Sequence, residues 1–480
     1  MREKLSKALE YISDRHIAEA AQPLRRRRRP YWLGAVAAVL VLVLLFNIGN
    51  IPMMIPAKAV SLASGTQWPV RPDRDDYEIW EDYRADLDVY EALGTQRDDT
   101  TAEALDALQA FFQDSTQRYM AGAGSENRVW SPVNAFMALA TLSEVTDGNS
   151  RQQILNTLNA DDVQTLRDRV WALWENTYFD NGHEVSILAN SLWLDESLRY
   201  DQQVMDDLAN YHYASVYQTD LSSRQAGTSL QAWLNNNTGG LLKRSTGTAA
   251  FPEQAVLTLA STVYLQAKWS DEFSPLANTG GSFHTPDGDL DVTYMNKKEM
   301  KGTYYWGESF GAVYLWLKNG CKMWFFLPDG DKTVEDVLAK GEYLTLLAPS
   351  REEETSGVEG RQNAKYMKIN LSVPKFDISS GGDLTSLFQS LGITDVFNEE
   401  HADFSAITAD STVTLTGVNQ AARVIIDEQG VKAGTYIELP GAGASEPPEE
   451  IIDFILDRPF LFVIADTSGI PLFTGVVNHP

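Results

Sequence analysis

An α+β fold is predicted for this 480-residue chain. Strand-like and helix-like stretches do not alternate regularly along it, which argues against a doubly wound sheet. Roughly the last 380 residues are enough to form one large core. The third observation lies near the carboxyl terminus. From Val431 the side chains alternate, with Val431, Ala433, Thr435, Ile437 and Leu439 pointing one way and Lys432, Gly434, Tyr436 and Glu438 the other. That is the period-two pattern of a half-buried strand. Yet it runs into residues 440–448, rich in Gly, Ala, Ser and Pro. A strand-competent sequence tethered to an exposed, cleavable tip suits a bait loop able to join a sheet later.

Composition sets the class. Apolar content of 44% with 22% charged residues belongs to a folded globular protein. The single Cys321 excludes an intrachain disulfide framework. It lies beside the strand-like run Lys322-Met323-Trp324-Phe325-Phe326-Leu327, where a buried, inert thiol is expected.

Residues 1–30 hold nine Lys/Arg against four Asp/Glu, a net of +5, so the rest of a chain of net charge −27 carries −32. Five consecutive arginines, residues 25–29, abut Tyr31 and Trp32, and no charged residue follows from Pro30 through Ala57. About 20 apolar residues cross a bilayer. Residues 31–51 are therefore expected to be a transmembrane helix behind a basic cytoplasmic tail of residues 1–30. The arginines place the amino terminus in the cytoplasm, and Tyr31 and Trp32 suit the aromatic belt. A cleaved signal peptide ending at Ala57-Lys58-Ala59 is the less favoured reading, since a 30-residue leading region is long. The exterior is acidic and free of disulfides, compatible with a bacterial cell surface.

Residues 52–100 read as a linker with an acidic amphipathic segment. Residues 61–74 carry Pro69, Pro72 and many small or polar residues, whereas in residues 75–93 apolar side chains recur at helical spacing. Thr100 and Thr101 look like N-caps for a helix through Leu105, Leu108, Phe111 and Phe112. Residues 101–480 form the folded domain, with helices expected over 135–145, 166–175 and 384–391 and strands over 312–317 and 323–327. No internal repeat is visible.

Catalysis by this chain is not expected. Gly307-Glu308-Ser309-Phe310-Gly311 fits the G-x-S-x-G form of a hydrolase nucleophile, but that motif needs a strand, a sharp turn and a helix. Both flanks here read as strands, so a hairpin accounts for it better. The six histidines (16, 183, 212, 284, 401 and 479) include no pair at ligand spacing, and no phosphate-cradling loop stands out. No cofactor or metal is expected. The charge of the outer part would repel nucleic acid.

Seven blocks resemble the serpin family and occur in family order across about residues 102–480. Asn127-Arg128-Val129-Trp130-Ser131-Pro132-Val133-Asn134 resembles its Ser-Pro helix signature. Leu188-Ala189-Asn190-Ser191-Leu192-Trp193-Leu194, Trp233-Leu234-Asn235-Asn236-Asn237-Thr238-Gly239-Gly240 and the run from Ser261 to Trp269 are similar to three more. Val373-Pro374-Lys375-Phe376, Ala402-Asp403-Phe404-Ser405 and the carboxyl-terminal run complete the set. The resemblance implies a serpin fold of mixed β-sheets with surrounding helices and an exposed reactive-centre loop. It further implies suicide inhibition, in which a serine or cysteine protease attacks the loop, forms an acyl-enzyme, and is dragged and distorted as the strand from Val431 inserts. Insertion of this kind is a known mode of strand addition.

The same resemblance assigns the hinge and inserting strand to Glu428, Gly430, Val431, Ala433, Thr435, Ile437 and Leu439. It assigns the sheet-opening region to Ser131, Asn134, Ser261, Trp269 and Gln420. Counting from the hinge Gly430 puts the reactive bond near Ala444–Ser445, and a small residue there suits an elastase-type pocket. This chain departs from the family at Val431, Lys432 and Tyr436 in the loop, and at Asn134, Ser261 and Gln420. Asn134 and Gln420 are expected to hydrogen-bond each other as a polar latch under the sheet. The expectation is thus a monomeric, single-pass surface inhibitor with its folded domain outside the cell. The rival readings are a non-inhibitory surface protein of the same fold, or a transmembrane sensor signalling through the basic tail.

Overall fold

Strand pairing sorts the chain into two sheets. They are seen in a computed structural model that describes residues 60–63, 74, 77, 79–121, 124–180, 185–238, 251, 255–347, 362–409, 413–431 and 450–480. The chain opens with β1 (Val60–Ala63), α1 (Trp80–Ala121), β2 (Arg128–Trp130), α2 (Pro132–Val145), α3 (Gly148–Thr157) and α4 (Val163–Thr177). It continues with β3 (Phe179–Asp180), β4 (Val185–Asp195), α5 (Gln202–His212), β5 (Ser215–Thr219), α6 (Arg224–Asn236) and β6 (Leu257–Lys268). Next come β7 (Thr279–Thr285), β8 (Gly288–Trp306), β9 (Phe310–Trp316), β10 (Lys322–Pro328), α7 (Val334–Ala339), β11 (Ala364–Pro374) and β12 (Phe376–Asp383). The chain closes with α8 (Thr385–Ser390), β13 (Leu415–Ile426), β14 (Gly430–Val431), β15 (Ile451–Ile455), β16 (Phe460–Ala465) and β17 (Pro471–Val477).

One sheet runs β1-β5-β4-β6-β13-β12, with β14 on β6 and β3 on β4. The other runs β15-β11-β8-β9-β10-β16-β17-β2, with β7 on β8. Helices are not interleaved with these strands in a regular βαβ order, so the α+β expectation holds. Strands β16 and β17 are buried at every position and β10 at all but its first, which is why their sequences are nearly unbroken apolar runs. Strand β11 alternates between buried and open positions, as a half-covered strand must.

Helix α2 is buried along its whole length and packs on β6 of one sheet and β17 of the other. Its start is set locally. Ser131 stands in extended geometry with its Oγ accepting from the Asn134 N–H at 3.3 Å, and Pro132 takes the first helical turn.

Chain contacts divide the molecule into two units, residues 1–57 with 69–94 and residues 58–68 with 95–480. In the first, the Tyr77 hydroxyl donates to Asp86 at 2.9 Å, and Tyr83 lies against Tyr77 and Trp80. The basic tail and the expected transmembrane span of residues 31–51 lie outside the described residues. Among the described residues no helix is long and apolar enough to cross a membrane.

The predicted helices and strands appear with slightly wider bounds, apart from β9, which is shifted towards the amino terminus, and the last helix, which is shorter. Two expectations need correction. Thr100 and Thr101 do not start a helix, because α1 runs through them without interruption. Thr101 is buried, and its hydroxyl points at the Ala172 carbonyl at 3.4 Å, so it is engaged across the core. Residues 61–63, read as linker, instead join Val60 in a strand of the first sheet.

A buried polar cluster ties α2, α4 and α5 together. Arg167 grips Glu144 through Nε (3.0 Å) and Nη2 (2.5 Å), and reaches Asp207 at 2.8 Å. His212, almost fully buried, meets the same carboxylate at 2.8 Å. Burial by itself raises the Glu144 pKa, but hydrogen bonds to His212 and Arg167 outweigh it and hold the carboxyl down to about 2.

The native pKa lies below that of the unfolded chain, so the stabilisation is present above about pH 4.5 and lost as pH falls towards 2. Glu144→Gln is expected to cost on the order of 3 kcal/mol at neutral pH. It should also flatten the acid limb, which denaturant melts across pH 2–7 would measure.

Candidate functional site

The chain turns back on itself where β13 ends. Asp427 and Gly430 exchange backbone hydrogen bonds at 3.3 and 3.2 Å, and Asp427 Oδ1 accepts the Gln429 N–H at 2.8 Å. After this turn β14 runs antiparallel to β6, with Gly430 opposite Lys268 and Val431 opposite Ala267. Gly430 alone permits that approach. Its φ is +136°, and a Cβ there would lie 2.5 Å from Lys268 Cα and 2.6 Å from the Ala267 carbonyl oxygen.

The turn is pinned from three sides. The Trp269 N–H donates to Gln429 O at 3.1 Å and its indole Nε1–H to Asp427 O at 2.9 Å. The Phe273 N–H donates to Glu428 O at 3.0 Å. The Glu428 carboxylate takes Lys375 Nζ and Asn278 Nδ2, each at 2.5 Å. Partial burial pushes this carboxyl up, but those two donors prevail and its pKa lies below the usual glutamate value.

Below the turn the sheet contains a seam. Strand β13 pairs with β6 in parallel, from Leu415–Leu257 and then Val418–Leu259 up to Ala421–Thr262. Among the described residues, positions 263–266 of β6 have no ladder partner on that side, although β4 covers the other. Among the described residues the sheet is therefore closed up to Thr262, and above it Gly430 and Val431 of β14 pair with Lys268 and Ala267.

The sequence-assigned sheet-opening residues gather at the top closed rungs. Gln420 lies opposite Ser261, and its amide clamps the Ser131 backbone, accepting from N–H and donating to C=O at 3.3 Å each. Ser261 donates to Asn190 Oδ1 at 2.6 Å. The expected Asn134–Gln420 latch is not formed. Gln420 spends both amide groups on Ser131, leaving the buried Oδ1 and Nδ2 of Asn134 without a partner among the described residues.

Trp269 belongs to the hinge rather than to these rungs. Ala433, Thr435, Ile437, Leu439, Ala444 and Ser445 lie outside the described residues. Lys375, Asn278 and Asn190 were not singled out from sequence. Lys375 and Asn190 stand in recognised blocks, and only the tertiary contact reveals their partners.

Ser309 sits in the β8–β9 hairpin, as its flanks predicted, and is buried with its hydroxyl 3.4 Å from the Asp336 carbonyl. Among the described residues that hydroxyl pairs with a backbone carbonyl and not with a histidine, and Cys321 is buried too.

The described site is thus a parallel seam between β6 and β13 with β14 paired to β6 at its mouth. A family model described as "Serpin (serine protease inhibitor)" matches residues 106–480, and the chain belongs to the serpin family. It is 28% identical over 370 residues to an alpha-1-antiproteinase of Callosciurus caniceps, covering 75% of this chain and 84% of that one. It is 27% identical to Serpin-Z2B of Triticum aestivum, covering 74% and 90%. Among solved structures, the thermophilic serpin tengpin in its native state aligns with a TM-score of 0.64 at 22% identity, over 77% of this chain and 94% of its own. Arabidopsis AtSerpin1 in its native stressed conformation aligns at 0.65 and 22%, over 80% and 98%. These structures share the fold.

Gly430→Ala should expel β14 from the sheet, because the new methyl would meet backbone it cannot displace. Hydrogen exchange at Ala267 and Lys268 is expected to accelerate, with a loss of about 1–3 kcal/mol in stability.

Proposed function

We propose that this chain is a suicide inhibitor of serine or cysteine proteases, anchored in a membrane by residues 31–51 with its folded domain outside. The observation that carries the reading is the register of Gly430 and Val431 against β6. Continued downward, each further loop residue meets the preceding residue of β6. Ala433 then falls opposite Leu265, Thr435 opposite Val263, Ile437 opposite Ser261 and Leu439 opposite Leu259. Leu265, Val263 and Leu259 belong to the main core, so the uncharged side chains of the loop enter on the apolar face. Lys432, Gly434, Tyr436 and Glu438 fall on the outer face. A charge on the inner face would oppose insertion by several kcal/mol.

In this register the strand descends through Thr435 without breaking a rung, and Tyr436 reaches the first closed one, Ala421–Thr262. Attack near Ala444–Ser445 frees it to continue, carrying the acylated protease with it. Small residues at that bond favour an elastase-like pocket, and Glu446, Glu449 and Glu450 oppose proteases with acidic clefts. The likeness to an antiproteinase is in keeping with this reading.

The test uses the full chain in detergent with a panel of serine proteases that includes an elastase. A denaturant-resistant covalent band is expected, with the released peptide beginning at or beside Ser445. Clean loop cleavage with no covalent band and no rise in thermal stability would sink the inhibitory reading. The anchor is tested separately: the chain should stay with membranes in high salt and leave them only in detergent.

A further inference from the structure

The edge of the first sheet carries a strand from outside the family-matched part of the chain. Strand β1 pairs antiparallel with β5 at Val60–Gln218, Ser61–Tyr217 and Ala63–Val216, whereas the serpin match begins at residue 106. Strand β5 is otherwise held on every side but one. Val216 is in the main core, Tyr217 stacks on Trp193 at 4.5 Å, and rungs from Ser191–Ser215 to Asp195–Thr219 join β4. Its remaining edge presents backbone N–H and C=O groups that need a partner strand. Val60–Ala63 supplies one, and α5 packs against both β1 and β5.

We propose that Val60–Ala63 is a brace that holds the sheet in its unexpanded form, an edge strand supplied in cis by upstream sequence. Strands β6, β4 and β5 lie on one side of the seam, and β13 and β12 lie on the other. For a strand to enter, these two blocks must separate. Strand β1 ties the outermost strand of the first block to α5 and to the chain that precedes the fold. The block then shifts only by straining or breaking those bonds. The consequence for inhibition rests on the loop-insertion reading above; the bracing of the sheet does not.

The test is made on the full chain. Ser61→Pro removes a backbone donor and constrains the strand, while Ser61→Ala keeps the backbone and serves as control. In Ser61→Pro, amide exchange at residues 216–218 is expected to rise about tenfold, the loss of one net hydrogen bond. Exchange across the seam at residues 418–421 should rise with it. Conversion of uncleaved protein to a more heat-stable, loop-inserted form on warming should also become several-fold faster.

A peptide of residues 56–67 in excess should reverse all three changes, and Ser61→Ala should show none. Unchanged exchange at 216–218 would mean that β1 is not paired in solution and would overturn the proposal. Faster exchange there with an unaltered seam would leave an edge strand that braces nothing, and would also overturn it. Should neither parent nor variant gain heat stability after loop cleavage, the insertion reading fails, and seam exchange alone decides the brace.

Discussion

The parallel ladder between β6 and β13 is the weak joint on which the first sheet depends. It is short, irregular between Leu415 and Val418, and closed only below Thr262. Parallel pairing is slightly less favourable per residue than antiparallel pairing. A strand entering in the direction of β14 runs antiparallel to both β6 and β13, and so replaces one parallel ladder by two antiparallel ones. In the proposed mechanism that better-bonded arrangement is reached once the rungs from Ala421–Thr262 downward part. The turn that precedes β14 is pinned by Trp269, Lys375 and Asn278.

What keeps those rungs together is polar and buried. Gln420 is bound to the backbone at the start of α2, and α2 touches both sheets, so the topmost rungs are coupled to the centre of the molecule. The other end of α2 is fastened through Glu144 to Arg167 and His212. Charged groups in such a place are costly unless every partner is present. Asn134 is the exception. Its amide is fully buried and without a partner among the described residues, in a helix whose other polar side chains find partners. An unsatisfied buried group of this kind costs about 1–3 kcal/mol, a local destabilisation beside the Gln420–Ser131 contact.

The bounds of α2, α4, β9 and β10 were legible within a few residues because apolar spacing and the Ser131-Pro132 cap are local signals. Ser309 was rightly read as part of a hairpin for the same reason. The amphipathic segment of residues 75–93 is helical from Trp80, and what was missed is its continuity with the helix expected after Thr101. Threonines at positions 100 and 101 resemble caps, yet Thr101 is spent on a carbonyl of α4 that no local pattern announces. Strand β1 was read as linker, since four residues of modest β character become a strand only when β5 offers an edge.

By itself the sequence determined the family, the α+β class, the glycine at the hinge and the alternation of the loop, because each is written in residue order and spacing. The tertiary structure alone decided which polar groups meet. It gave Gln420 to Ser131 rather than to Asn134, joined Lys375 and Asn278 to Glu428, and closed the sheet edge with residues from far upstream. Hydrogen-bond partners distant in sequence are selected by the packing of whole elements, and a side chain's type states only what it can bond, never which neighbour it will have.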